Sequence, residues 1–198
     1  MTDRFPQAAE AFRQQSDLRP GNLDAQFNQA RCMAKQALDD VGGPEVRTDA
    51  LNRLRAILRD DPQHADANFW MGRLLLAEKP DEAQTHFVAA LKHPQQGAAL
   101  LLATVNLFVG KPAELVALLS AVLPADAGQW TSKHVPFLLL RARAGFEKAA
   151  AGGDELAKPK PQPLVDADEA YRLAVEPEQK AAARFWAAQV RFAQFLRF

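Results

Sequence analysis

Cysteine is nearly absent from this chain of 198 residues, which contains only Cys32. A single thiol excludes an intramolecular disulfide, and it also excludes any zinc site that is built from several cysteines. We expect Cys32 to be a buried thiol inside a helix, because a free cysteine usually behaves as a small hydrophobic side chain.

An excess of charge is missing too, since 24 basic residues balance 24 acidic ones. Such a chain has no long-range field that would attract nucleic acid, and we expect no nucleic-acid partner. No stretch approaches the ~20 apolar residues of a membrane helix, and the first residues lack the apolar core of a signal peptide. We therefore expect no membrane insertion and a cytoplasmic location. The alternative is a periplasmic or membrane-anchored location, if an N-terminal segment precedes residue 1.

Motifs of catalysis and of cofactor binding are also missing. The sequence has no Gly-x-Ser-x-Gly, no phosphate-binding loop, no Gly-x-Gly-x-x-Gly and no His-Glu-x-x-His. Paired carboxylates such as Asp39-Asp40 and Asp60-Asp61 stand at predicted helix ends, where they cap helices or shape turns. We predict a protein that is not an enzyme, with no cofactor and no metal site.

The sequence does contain regularly spaced signals of helices and of helix ends. Alanine is abundant, while isoleucine and tyrosine are scarce, which favours helices over strands. Proline and glycine recur between segments whose apolar residues repeat at helical spacing. The ten predicted helices span about residues 6–17, 23–38, 44–59, 65–77, 81–92, 96–109, 112–123, 131–150, 166–175 and 178–197. The predicted fold class is therefore all-α.

Two stretches of the chain share one pattern. Residues 24–31 read Asp-Ala-Gln-Phe-Asn-Gln-Ala-Arg, and residues 66–73 read Asp-Ala-Asn-Phe-Trp-Met-Gly-Arg. Each stretch follows a turn that contains proline, and each turn follows a helix with an apolar stripe. An internal repeat of this kind predicts an array in which each unit buries its apolar face against its neighbours.

This repeat resembles the tetratricopeptide repeat, a helix–turn–helix unit of roughly 34 residues. The second helix of that unit has Ala, an aromatic residue four positions on, then Ala-Leu and Pro, and the first helix has a small residue where helices cross. In this chain the spacing of the pattern is kept by Ala50, Leu54, Ile57, Leu58 and Pro62. The residue types match better at Gly72, Ala83, Phe87, Ala90, Leu91 and Pro94, where the proline comes one residue early. The match covers residues 5–94 and weakens over residues 95–198.

The resemblance implies an α-solenoid of antiparallel helix pairs. We expect repeats of this type over residues 1–124. A divergent helical part over residues 125–198 would continue the same solenoid, with a proline-rich connector at residues 151–165. Relative to the family pattern, the first unit begins at its second helix.

In this family the first helix of each unit lines a concave groove that binds peptides. Carried over by position, the peptide-binding residues are Phe27, Asn28, Arg31, Lys35, Asp66, Phe69, Trp70 and Arg73. The resemblance therefore implies a protein–protein interaction scaffold or an assembly chaperone that binds a peptide or protein segment. The alternative interpretation is that the aromatic residues pack between helices and that the arginines are merely solvated.

The last predicted helix is apolar nearly all round. Because burial of an aromatic side chain is worth ~1.5–3 kcal/mol, we expect this helix to be buried on more than one side, against its own chain or a second subunit. The predicted oligomer interface consists of Trp186, Phe192, Phe195 and Phe198. The alternative functions are thus a structural subunit that forms a homodimer or larger oligomer, and an accessory domain of a longer, envelope-anchored bacterial protein.

Overall fold

The computed structural model describes residues 4–19, 21–151 and 154–196. Over these ranges the regular structure is entirely helical, with ten α-helices and no strand, so the predicted all-α class is confirmed. The helices are α1 (Arg4–Leu18), α2 (Leu23–Leu38), α3 (Gly43–Asp60), α4 (Ala65–Leu75), α5 (Pro80–Lys92), α6 (Gly97–Val105), α7 (Pro112–Val122), α8 (Val135–Ala150), α9 (Gln162–Leu173) and α10 (Pro177–Phe195). Each predicted helix overlaps one of these ten.

The helices form two compact units, Met1–Leu100 and Leu101–Phe198. In the first unit α1 packs on α2, α2 on α3, α3 on α4, and α4 on α5, and α2 also contacts α4. In the second unit α7 packs on α8, α8 on α9, and α9 on α10, and α8 also contacts α10. Neighbouring helices thus pack in pairs, as in a helical repeat fold. The predicted division of the chain at residue 124 and a single solenoid through both units stay predictions.

Helices α2 and α4 begin in the same way. The Asn22 side chain accepts a hydrogen bond from the backbone N–H of Ala25 at 3.1 Å, and His64 Nδ1 accepts one from Ala67 at 3.2 Å. Each side chain satisfies an N–H group that the first turn of a helix leaves without a partner. The internal repeat therefore extends to the caps, although the two capping residues differ in type.

Helices α4 and α5 cross at a glycine. A Cβ atom placed on Gly72 would lie 2.8 Å from Cε1 of Phe87, and Phe87 is fully buried. Ala83 and Ala90, which flank Phe87 on α5, are also fully buried. Gly72 thus leaves space where the helices cross and the Phe87 ring fills it, which is the steric role that the repeat pattern predicts for these two residues.

Two helices in the second unit begin at residues other than those expected. Short 3-10 helices precede α8, which begins at Val135 rather than near residue 131. Helix α9 begins at Gln162 instead of residue 166, so the segment between α8 and α9 is shorter than the connector predicted over residues 151–165. The reason is that proline is tolerated in the first turn of a helix, and Pro163 stands there with its side chain buried.

Cys32 is buried within α2, as the sequence predicts. Burial raises the pKa of its thiol, against the opposing effect of the nearby Arg31 and Lys35 charges. The thiol therefore stays protonated near neutral pH and behaves as part of the core.

Candidate functional site

Helices α2 and α4 lie side by side and run in the same direction. Near their first turns the ring centroids of Phe27 and His64 are 4.9 Å apart. At their other ends the Asp39 carboxylate attracts the positive charge of Arg73 and in this way favours a higher pKa of the guanidinium. The structure therefore brings together the two helices that were predicted to carry the binding residues.

Most of the predicted binding residues lie on two stripes of these helices. Asn28, Arg31 and Lys35 follow one another at helical spacing on α2, with the asparagine half-buried and both cations exposed. On α4 the corresponding stripe holds three half-buried residues, namely Asp66, Trp70 and Arg73. Six of the eight predicted residues are thus open to solvent at least in part.

The other two predicted residues belong to the core. Phe27 is 8% exposed and Phe69 is 6% exposed, so neither ring is available to a ligand. For these two side chains the interpretation as inter-helix packing is the correct one. The reason is local, because each precedes the solvent-facing stripe by one residue and that step turns a helical side chain by about 100° toward the core.

The buried rings nevertheless position the arginines. Cζ of Arg31 lies 5.9 Å from the ring centroid of Phe27, and Cζ of Arg73 lies 5.9 Å from that of Phe69. The same phenylalanine–arginine arrangement thus occurs in both helices, and in each the two residues are four positions apart. Cation–π attraction of this kind is worth about 0.5–1 kcal/mol at exposed sites.

Arg73 makes a second and closer ring contact, 4.7 Å from the centroid of Trp70. Trp70 in turn meets Phe69 edge to face, with centroids 6.0 Å apart. Burial lowers the pKa of Arg73, and the Asp39 carboxylate partly opposes that shift. Arg73 forms no hydrogen bond or close ion pair with the rest of the described chain, so its N–H groups stay available to a ligand.

Lys35 is turned toward α1. Its Nζ lies 4.2 Å from the ring centroid of Phe5, and this contact directs it away from α4. The remaining residues form the candidate surface, which we call the α2–α4 face: Asn28, Arg31, Asp66, Trp70 and Arg73. Of these, Asn28, Arg31 and Asp66 have no hydrogen-bond partner among the described residues, and the face carries two positive charges and one negative charge.

The second unit contains a buried ion pair that no sequence pattern predicted. Arg141 on α8 donates from Nε to Asp166 Oδ2 at 2.8 Å and from Nη2 to Oδ1 at 2.7 Å, and both side chains are buried. Gln162 Nε2 donates to the same Oδ1 at 2.8 Å. No motif links residues 25 positions apart, and the one available signal was the position of Arg141 directly after the apolar run 135–140.

The predicted oligomer interface is only partly exposed. Phe192 is 59% exposed and Phe195 is 74% exposed, but Trp186 packs on its own unit, with its centroid 6.2 Å from that of Phe146. Phe198 lies outside the described residues. Over its described residues α10 buries one face, through Ala183, Ala187 and Val190, so the expected burial on several sides of the helix does not occur within the chain.

In the described residues no group of three or more His, Cys, Asp and Glu side chains is placed to hold a metal ion. The same ranges contain no helix with both the length and the apolarity needed to cross a membrane. Compared with family models, with curated proteins and with solved structures, the chain matches none. The tetratricopeptide resemblance therefore stays a prediction that the internal repeat alone supports.

Proposed function

We propose that the chain is a non-enzymatic scaffold or assembly chaperone that binds a peptide or an extended protein segment on the α2–α4 face. The observation that carries this proposal is the repeated arrangement of Arg31 and Arg73. Each arginine lies over a buried ring of its own helix, and neither has an ion-pair partner in the described chain.

The chemistry of the α2–α4 face suits a peptide. Arginine and tryptophan are enriched at binding hot spots, and arginine can hold a carboxylate by two parallel hydrogen bonds. Asn28 and Asp66 add an amide and a carboxylate that can pair with the N–H and C=O groups of a main chain. Packing on the rings reduces the side-chain entropy that the two arginines lose when a ligand binds.

The test is affinity capture of partners with single variants of the face. Trp70→Ala and Arg73→Gln each remove one contact group while the buried Phe69 stays in place, and we expect each to weaken binding of a captured partner by at least about tenfold. Arg172→Gln is the matched control, because Arg172 is an exposed arginine of the second unit that pairs with Glu169. An unchanged partner set with both variants, at unchanged circular dichroism, would overturn the proposal.

A second candidate function is a structural subunit that associates with another copy through α10. One face of this helix exposes the large apolar side chains Phe185, Phe192, Phe195 and Leu196. Light scattering coupled to size exclusion, at several concentrations, tests this candidate. A mass that rises with concentration and returns to one chain in Phe192→Glu supports it, and one chain at every concentration rejects it. The cytoplasmic location stays a prediction in either case.

A further inference from the structure

A cavity of about 520 Å³ lies beside the Arg141–Asp166 pair in the second unit. Its walls come from α7, α8, α9 and the segment before α9, and they are apolar at Val116, Gly145, Ala149 and Pro163. The charged and polar groups in its lining are Arg141, Lys148, Glu155, Lys158, Gln162 and Asp166. Both the size and the mixture of apolar walls with a few polar groups are typical of small-molecule sites.

One side of the cavity holds a rigid guanidinium group. Arg141 is fixed by the two hydrogen bonds to Asp166, by a longer one of 3.4 Å to Ser120 Oγ, and by the Trp130 ring at 5.4 Å. A guanidinium has five N–H groups, and these contacts use three of them. Two donors remain on a side chain that lines the cavity and cannot easily rearrange.

The charges in the lining do not balance. Arg141 pairs with Asp166, and Lys158 Nζ pairs with Glu155 Oε2 at 2.6 Å, but Lys148 has no ion-pair partner among the described residues. The Lys158 hydrogen bond is the largest cause of a lowered pKa at Glu155, and the Lys148 charge adds to it. One positive charge is therefore left over beside the apolar walls.

We propose that this cavity binds a small monocarboxylate that carries an apolar chain or ring. The carboxylate pairs with the ammonium group of Lys148 and accepts hydrogen bonds from the remaining N–H groups of Arg141. The apolar part of the ligand lies against Ala149 and Pro163. A single negative charge matches the single uncompensated cation, whereas a dianion such as a phosphate monoester would also meet the carboxylates of Glu155 and Asp166. This site is separate from the α2–α4 face, and its test does not depend on the proposed scaffold function.

The experiment is a titration of the ¹⁵N-labelled full chain with 4-phenylbutyrate, followed by NMR. The neutral 4-phenylbutyramide, of the same shape, is the matched probe. We expect the carboxylate to shift the amide signals of Gly145 and Ala149 with a Kd on the order of 0.1 mM, and the amide to bind at least about tenfold more weakly. Lys148→Ala should weaken the carboxylate about tenfold, while Lys160→Ala, an exposed lysine that does not line the cavity, should leave Kd unchanged.

Four results would overturn the inference, and the first three concern where and how a ligand binds. One is equal binding of the acid and the amide, another is a set of shifts that excludes Gly145 and Ala149, and the third is an unchanged Kd in Lys148→Ala. The fourth is the absence of any shift up to about 10 mM ligand, which would mean that the cavity is a packing defect and does not bind the carboxylate. If Lys148→Ala does not fold, Lys148→Gln replaces it, because glutamine keeps the length of the stem and removes the charge.

Discussion

The ring of Phe87 occupies the space that any side chain at residue 72 would need, since a Cβ atom on Gly72 would lie 2.8 Å from its Cε1. Phe87 is fully buried and cannot swing aside. The close crossing of α4 and α5 therefore depends on the absence of a side chain at Gly72 and on the Phe87 ring, which fills the space that this side chain would need.

The first prediction concerns this crossing. Gly72→Ala should destabilise the chain by about 1 kcal/mol, because overpacking costs ~1–3 kcal/mol and the gain in helix propensity returns only ~1 kcal/mol. In a Phe87→Leu background the same change should be neutral or stabilising, since the smaller side chain leaves room. Urea denaturation of the four chains measures both effects, and additive changes in unfolding free energy would contradict the packing argument.

A second prediction separates two neighbouring aromatic residues. Phe69→Ala should lower the free energy of unfolding by about 3–5 kcal/mol, because a buried ring leaves a cavity. Trp70→Ala, next to it, should cost only about 1 kcal/mol, because this ring is partly exposed and loses mainly its contacts with Phe69 and Arg73. Chemical denaturation compares the two variants. Equal losses would mean that Trp70 is part of the core and does not form a binding surface.

The buried ion pair gives a third prediction. Asp166→Ala should cost about 3–5 kcal/mol, because it leaves the buried Arg141 charge without its partner. The double change Arg141→Met with Asp166→Leu should recover most of that loss, since apolar side chains of similar size replace an ion pair at little net cost. A double variant as unstable as the single one would indicate that the pair fixes the packing of α8 against α9 in a way that apolar contacts cannot.

The fourth prediction is a loss of stability in mild acid. Burial lowers the pKa of His86 below its ordinary value of about 6.5, with Arg55 adding to the shift and Glu82 opposing it. The unfolded chain then binds a proton more readily than the folded one, so stability falls as the pH drops through about 6.5 and continues to fall until the folded histidine titrates.

The measurement for this prediction is the urea midpoint between about pH 7.5 and 5.5. His86→Gln should make the urea midpoint fall less steeply as the pH is lowered. Burial lowers the pKa of His134 as well, so His86→Gln with His134→Gln should make the midpoint fall less steeply still. A midpoint profile that is the same in wild type and both variants would show that neither histidine is linked to folding.

The fold was largely predictable because its signals are local. Proline, glycine and capping residues mark helix ends within a few positions, and for this reason α2 was predicted with its observed bounds, 23–38. The start of α9 was missed because Pro163 can belong either to an extended segment or to a first helical turn, and only its packing against Gly145 decides between them.

The candidate site was less predictable, since exposure depends on neighbouring helices. Phe69 and Trp70 are adjacent and both aromatic, and only the packing of α5 on α4 buries one and leaves the other partly open. The Arg141–Asp166 pair is beyond any local pattern, because its members come from different helices and meet only when α8 packs on α9.

In the proposed function, the similar placement of Arg31 and Arg73 on neighbouring helices would set the spacing of the groups that a bound segment must offer. Packed helix axes lie about 8–10 Å apart, and an extended chain advances about 3.3 Å per residue. A strand that meets both arginines must therefore offer acceptors about three residues apart. Selectivity for such a strand would come from the interval between its acidic groups, and a sequence with the same composition in a different order would bind poorly.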